Sequence, residues 1–332
     1  MINSFKSRLS SVPKYFTKFR LPRKTSSPVK ESKNRFIVYL LRGKKLNSFL
    51  FTADCLISSS PKISLVNYID LDLPLTVISD NRIDNENELA EYLEDIVGFF
   101  DAGPIPSLLL LDPCYFFNMF LQGDSLDDID LPSFSPHILS DTVYKVDKSN
   151  NGDTWNLSFA SSSLLTGWAK CLTSTGSQCA YIGSFFYSLI DQISQKHNSF
   201  GLLDVHNSSC SLLLSSNGKL VSKYLPFGVN QYLIGSDFMA DDFINRLSKS
   251  IVKLSSDNAL SSPKNIYFIS DQPLDSATSR FFNLCNVSDL PHILPLEDSL
   301  INHLSNKNSD PDRLYRSLLT ISFVALNNTL SL

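Results

Sequence analysis

The feature that most constrains this chain is an order of elements that occurs twice. Residues 35–121 and 199–285 each read as a hairpin, a third strand, a helix, a strand and a helix. In the first stretch the apolar residues 36–41 run into Arg42-Gly43-Lys44-Lys45, and a second strand follows over 47–52. A glycine in so short a connection marks a hairpin. Residues 62–68 alternate as a third strand. Residues 86–100 place Leu89, Leu93, Ile96 and Phe100 on one helical face. Asn85, with Glu88 three positions on, is a start signal for that helix. After Gly103-Pro104, residues 107–111 read as a buried strand and 115–121 as a short helix.

In the second stretch residues 200–205, 209–214 and 219–225 read as strands, with Asn217-Gly218 as the hairpin turn between the last two. Residues 237–254 form a helix that aligns Ala240, Ile244, Leu247, Ile251 and Leu254. A strand over 265–270 and a helix over 274–285 follow, and a helix over 313–326 closes the chain. A doubled β-β-β-α-β-α unit predicts an α/β protein of two lobes, each a mixed sheet covered by helices. Ligands in such folds lie between the lobes, off the turns of the first hairpins.

The expected organisation is a basic arm and linker (1–34), a first half (35–121), an inserted subdomain with a connecting helix (122–198), and a second half with its closing helix (199–332). Within the inserted segment, residues 122–153 read as irregular and carry Asp124, Asp127, Asp128 and Asp130. A strand is expected over 154–160, a helix over 162–172, and a helix over 182–193 with Ile182, Phe186, Leu189 and Ile193 facing inward.

Charge is divided unevenly. Residues 1–35 hold ten Lys/Arg and one Glu, so the net −4 is a basic arm joined to an acidic body. An acidic body argues against nucleic acid as a partner. In the arm, Ile2, Phe5, Leu9, Val12, Phe16 and Phe19 fall on one helical stripe among lysines and arginines. Such a pattern suits an anionic membrane surface, although Pro13 limits it to two short helical pieces. With 43% hydrophobic and 19% charged residues, the body can bury a sizeable core. The apolar run from Ile105 to Leu121 is broken by Asp112-Pro113, which excludes a spanning helix there. Charged residues throughout the N-terminus and dispersed, unpaired cysteines point to the cytoplasm.

The chain has only 12 glycines in 332 residues, below the usual level of about 7%. Phosphate-cradling loops need that residue, and no P-loop, G-x-G-x-x-G, G-x-S-x-G or H-E-x-x-H motif occurs. Asp70-Leu71-Asp72 reads as a strand-end turn, and Asp127-Asp128-Ile129-Asp130 as a solvated loop without calcium-loop spacing. No metal site and no catalytic residue is expected. His206 and Asp204, two apart, are expected to share a strand face without forming an acid–base pair.

Residues 201–205 (Gly-Leu-Leu-Asp-Val), running into 209–214, Asn217-Gly218-Lys219-Leu220 and Leu225-Pro226-Phe227-Gly228 resemble the second half of PilM-like proteins, the actin-like components of type IV pilus assembly. Residues 265–270 and 290–296 resemble that family's strand to the adenosine side and the stretch after it. The resemblance implies a duplicated actin-like (RNase H-like) two-lobed fold with a small inserted subdomain. It implies a cytoplasmic scaffold at the inner face of the plasma membrane, holding the cytoplasmic tail of a PilN-like membrane protein. GspL-like secretion components share the fold. An active actin-like ATPase or sugar-kinase-type enzyme with diverged loops is the alternative.

The nucleotide positions implied by the resemblance are Lys44, Asp204, His206, Ser208, Ser209, Ser270 and Asp271. They depart from the family pattern. The first hairpin has no Asp-x-Gly, His206 stands where the second hairpin should have glycine, Cys210 replaces a threonine, and Ser270-Asp271-Gln272-Pro273 replaces a glycine-rich loop. A β-carbon at such positions blocks close approach to phosphate. The expectation is therefore a degenerate site, with no cofactor and ATP as the ligand it has lost.

Overall fold

The computed structural model describes residues 35–53, 63–79, 82–122, 141–148, 154–194, 197–206, 208–234, 237–238, 240–261, 263–270 and 292–295. The expectations for residues 1–34, Asp127–Asp130, Asp271 and the helices over 274–285 and 313–326 lie outside them.

The first sheet is built from β1 (Arg35–Arg42), β2 (Lys45–Ala53), β3 (Ile63–Asp72) and β4 (Pro106–Leu111). A three-stranded sheet follows, made of β5 (Phe116–Gln122), β6 (Thr142–Lys148) and β7 (Thr154–Ser161), and then β8 (Gln178–Ser184). The second sheet uses β9 (Ser199–Val205), β10 (Cys210–Ser216), β11 (Lys219–Leu225), β12 (Asn265–Ser270) and β13 (His292–Pro295). The helices are α1 (Glu86–Phe99), α2 (Ser162–Ser174), α3 (Phe185–Ser194) and α4 (Ala240–Asp257).

The two five-stranded sheets have the same topology. The first is ordered β8-β4-β1-β2-β3 and the second β13-β12-β9-β10-β11. In each, the leading strand lies at the centre. Its antiparallel hairpin partner and the third strand flank one side, and two parallel strands flank the other. The turns follow from local chemistry. Gly43 takes φ +59° in the two-residue turn between β1 and β2, and Asn217-Gly218 take +52° and +80° in theirs.

Because β1 is central and covered on both sides, its alternate residues feed two cores. Ile37, Tyr39 and Leu41 pack with α1 and α2 through Leu89, Leu93, Ile96, Leu164 and Trp168. Phe36, Val38 and Leu40 face the other way, onto Phe185, Phe186, Leu189 and Ile193 of α3, and Phe200 and Leu202 of the second sheet join that same cluster. Helix α3 therefore lies between the two sheets. The outer face of the second sheet is closed by α4 through Phe243, Leu247 and Ile251. Helix α1 starts at the expected cap, where the Asn85 side chain accepts from the Glu88 amide at 3.1 Å.

Three expectations are corrected. Residues 115–121, read as a helix, form strand β5, paired antiparallel with β7 from Phe116–Ala160 to Gln122–Thr154. An aromatic-rich run that alternates in two phases satisfies a strand as well as a helix. The helix expected over 182–193 begins at Phe185, because residues 178–184 form β8 beside β4. Residues 142–148, inside a stretch read as irregular, pair with β7 as β6. Residues 162–184, expected within the inserted segment, thus supply a helix and a strand to the first lobe.

Candidate functional site at the facing hairpin turns

Four charged or titratable side chains meet where the ends of β1, β4 and β9 face each other. The strand phases explain why. Phe36, Val38 and Leu40 point toward the second lobe, and Arg42 is the next residue in that phase. Leu108 and Leu110 lead in the same way to Asp112, and Phe200 and Leu202 lead to Asp204. Each strand ends with a charge on the face that meets the other lobe.

The Arg42 guanidinium is ion-paired with the Asp204 carboxylate, with both side chains buried. The Phe185 ring lies 5.7 Å from the guanidinium carbon. His206 Nε2 is 2.7 Å from Asp204 Oδ2 and 3.1 Å from Asp112 Oδ2. Carboxylates only accept, so Nε2 carries the proton and is shared between them. Asp112 caps the short 3-10 turn Pro113–Tyr115, accepting from the Cys114 amide at 3.0 Å, and its other oxygen takes the Gly43 amide at 3.3 Å. Burial pushes the Asp112 carboxyl up, but the hydrogen bond and charge of His206, with the amide and thiol of Cys114, outweigh it and hold the carboxyl down at about 2. The neighbouring thiols move the other way. Burial, then the charge of Asp112, raises Cys114, and burial, then Asp204, raises Cys210.

His206 does not need glycine's freedom, since it is absent from the residues with positive φ. Its amide donates to Ser209 carbonyl at 2.9 Å and its carbonyl accepts from Val229 at 3.1 Å. The backbone thus turns at the end of β9 while the imidazole fills the space between two carboxylates.

No family model matches this sequence, and no curated protein matches it. Solved structures do. A PilM-PilN type IV pilus biogenesis complex aligns with TM-score 0.58 at 11% identity, over 89% of this chain and 98% of that one. This is the two-lobed actin-like fold. A Bacteroides thetaiotaomicron protein with an actin-like ATPase fold and unknown function aligns with TM-score 0.47 at 10% identity, over 81% and 94% of the two chains. The cytoplasmic domain of EpsL, an inner membrane component of the Vibrio cholerae type II secretion system, aligns with TM-score 0.45 at 10% identity, over 86% and 96%. No described helix is long and apolar enough to cross a membrane.

In this actin-like frame the expected site residues divide. Asp204 and His206 lie in the cluster and are hydrogen-bonded to each other, a contact that the sequence reading did not anticipate. Ser209 belongs to the turn beside it, and Ser208 is exposed. Lys44 is exposed in the first hairpin turn, where its carbonyl accepts from Leu73 at 2.8 Å. Ser270 ends β12, opposite Val205. Arg42 and Asp112 were missed. Their signal was the phase of β1 and β4, which turns each inward at a position where a charge is costly without a partner.

The arrangement keeps two carboxylates at the strand ends, and Asp112, Asp204 and His206 offer ligand atoms within 4.8 Å of one another. The cation already at Asp204 is the chain's own Arg42. With a protonated imidazole, the two positive and two negative groups cancel.

A second contact joins the small three-stranded sheet to the second lobe. Asn156 on β7 donates from Nδ2 to Gly218 carbonyl at 2.7 Å and accepts from the Leu220 amide at 3.0 Å. The Asn118 amide and Nδ2 both donate to Ser222 Oγ, each at 3.0 Å. Lys219 Nζ lies 4.9 Å from the Phe120 ring.

Proposed function

We propose that this protein is a non-catalytic, actin-like scaffold of type IV pilus assembly or a related secretion machine, working in the cytoplasm at the inner face of the membrane. Its partner would be the cytoplasmic tail of a PilN-like membrane protein. The observation that carries this reading is the Arg42–Asp204 pair: a tethered guanidinium holds the carboxylate that a nucleotide-bound cation would need. His206 adds a side chain where glycine would admit phosphate. An ATPase reading requires Arg42 to leave Asp204 and expose a buried charge, which is costly. The likeness to the PilM-PilN complex supports the choice of partner. The basic arm, residues 1–34, suits an anionic membrane surface, and loss of co-sedimentation with anionic vesicles on removing it is the expected result.

Two titrations test the reading. Calorimetry with Mg-ATP should show no micromolar binding. Calorimetry with the cytoplasmic tail of the PilN-like protein encoded in the same genome should show binding. ATP binding that Asp204→Ala abolishes would overturn the non-catalytic role, and a silent tail titration would overturn the partner.

A further inference from the structure

The basic arm joins the first lobe at one end of helix α1. Arg35 opens β1, and its guanidinium donates to the carbonyls of Phe100 at 3.2 Å and Asp101 at 3.5 Å. Those carbonyls follow the last turn of α1, where the helix dipole is negative. The arm thus leaves the lobe at the negative end of α1, with a cation already seated there.

Helix α1 is also the most strongly charged of the described helices. Of its fourteen residues five are acidic and none is basic. Helix α2 has one lysine and no acid, α3 one aspartate, and α4 three residues of each sign. Leu89, Leu93 and Ile96 turn into the core. Glu86 lies on the flank against α2: its carbonyl accepts from the Cys171 thiol at 3.4 Å, and a β-carbon on Gly167 would lie 3.3 Å from its Oε1. The opposite flank carries Glu88, Tyr92, Asp95 and Phe99, spaced four, three and four. Glu91 and Glu94 are exposed on the outward face next to it. Tyr92 and Phe99 pack against the core of the first lobe yet stay half-buried. Burial, then the charges of Glu88, Asp95 and Glu91, raises the Tyr92 hydroxyl, so carboxylates surround that ring.

The arm complements this face in charge and in pattern. Residues 1–35 hold ten Lys/Arg and one Glu, and the stripe from Ile2 to Phe19 is apolar between them. Apolar side chains fit the half-buried rings, and the cations fit the carboxylates beside them. Pro13 splits the stripe into two pieces, each shorter than α1. Residues 21–34 can extend about 45 Å, and α1 is about 21 Å long, so the tether reaches the whole helix. A tether of this kind gives an effective concentration on the order of millimolar, at which a weak contact is populated.

We infer that residues 2–19 dock on the Glu88–Tyr92–Asp95–Phe99 flank of α1 in the same molecule, and that an anionic membrane surface competes with α1 for them. The competition rests on the membrane reading of the arm; the docking does not. The contact holds the apolar stripe against the lobe away from the membrane, and anionic lipid releases it.

The test is carbodiimide crosslinking of the full chain, which joins lysine amines to carboxylates in contact. Peptide mass spectrometry should find Lys6, Lys14 or Lys18 joined to Glu91, Glu94 or Asp95. A mixture of unlabelled and isotope-labelled chains should show that both ends of each link come from one chain. Vesicles of equal parts phosphatidylcholine and phosphatidylglycerol should remove the links, and phosphatidylcholine alone should not. Glu91→Gln with Glu94→Gln and Asp95→Asn should raise the share of chain that pellets with limiting anionic vesicles at least threefold. In a full chain with Lys6, Arg8, Lys14, Lys18 and Arg20 replaced by glutamine, the same three substitutions should leave pelleting unchanged. That comparison separates release of the arm from the lower negative charge of the body.

Arm links only to other elements, or only between chains, would overturn the docking. Links to α1 that anionic vesicles leave in place, or pelleting that the neutral α1 variant does not raise, would overturn the competition. Links to α1 in a chain that never pellets would leave the docking standing and remove the membrane reading. Pelleting that depends on the arm cations, with no link to α1, would do the reverse.

Discussion

Arg42 and Asp204 form a buried ion pair between strands that belong to different sheets. Each is the terminal charge of a strand whose preceding inward residues are apolar. The pair is therefore a link between lobes that no ligand has to complete.

Removing one member leaves the other charge buried. Arg42→Ala should destabilise the protein by about 3–5 kcal/mol. Replacing both residues with apolar side chains of similar size, Arg42→Met with Asp204→Leu, should recover most of that loss. Denaturant unfolding of the two single variants and the double variant checks it. A double variant as unstable as the sum of its parts would mean that the two residues act independently.

Acid should weaken the same junction from the Asp112 side. Its folded pKa, about 2, lies below the ordinary carboxylate value of 3.8. A lowered value gives stability that is present above the ordinary value and is lost as pH falls through the folded one. The loss should amount to about 2 kcal/mol between about pH 4 and pH 2. Urea unfolding at stepped pH should show this decline, and Asp112→Asn should flatten it.

The thiols report on closure. Cys114 and Cys210 are raised chiefly by burial, and Cys171 is raised to about 11 by burial and then by Glu86. Thiolate is the reactive form. All three should alkylate more slowly at pH 8 than a free cysteine, as read by peptide mass spectrometry. Cys114 should react faster in the Arg42→Ala variant, because the lobes lose their tie beside it.

Asn156 makes two hydrogen bonds across to the second lobe, at 2.7 and 3.0 Å. Asn156→Ala leaves the Gly218 carbonyl and the Leu220 amide without those partners and should cost about 1–3 kcal/mol. Faster exchange of the Leu220 amide, with β9 and β10 unaffected, is the expected signature. No change at Leu220 would mean that the small sheet is held by its apolar contacts alone.

Much of the frame was legible because it rests on local rules. Asn217-Gly218 fixes a hairpin by its own backbone preferences, and Asn85 with Glu88 fixes the start of α1. The repeated order then implies a repeated topology. Residues 115–121 were misread because their aromatic run meets both periodicities, and only pairing with β7 decides between them. The site was half legible. Asp204 and His206 stand at the first hairpin of the second lobe, a place that the repeated order marks in advance. Arg42 and Asp112 come from distant parts of the chain, and no local pattern joins positions 42, 112 and 204. The usable clue was subtler: in β1, β4 and β9 the inward apolar phase ends on a charge.

Helix α3 carries a further implication. Its apolar side chains Phe185, Phe186, Leu189 and Ile193 share one cluster with residues of both large sheets. Cutting the chain after it would strip the cover from the downstream piece, and cutting before it would strip the upstream one. Neither fragment should be soluble and cooperative by itself, however plainly the chain repeats its plan.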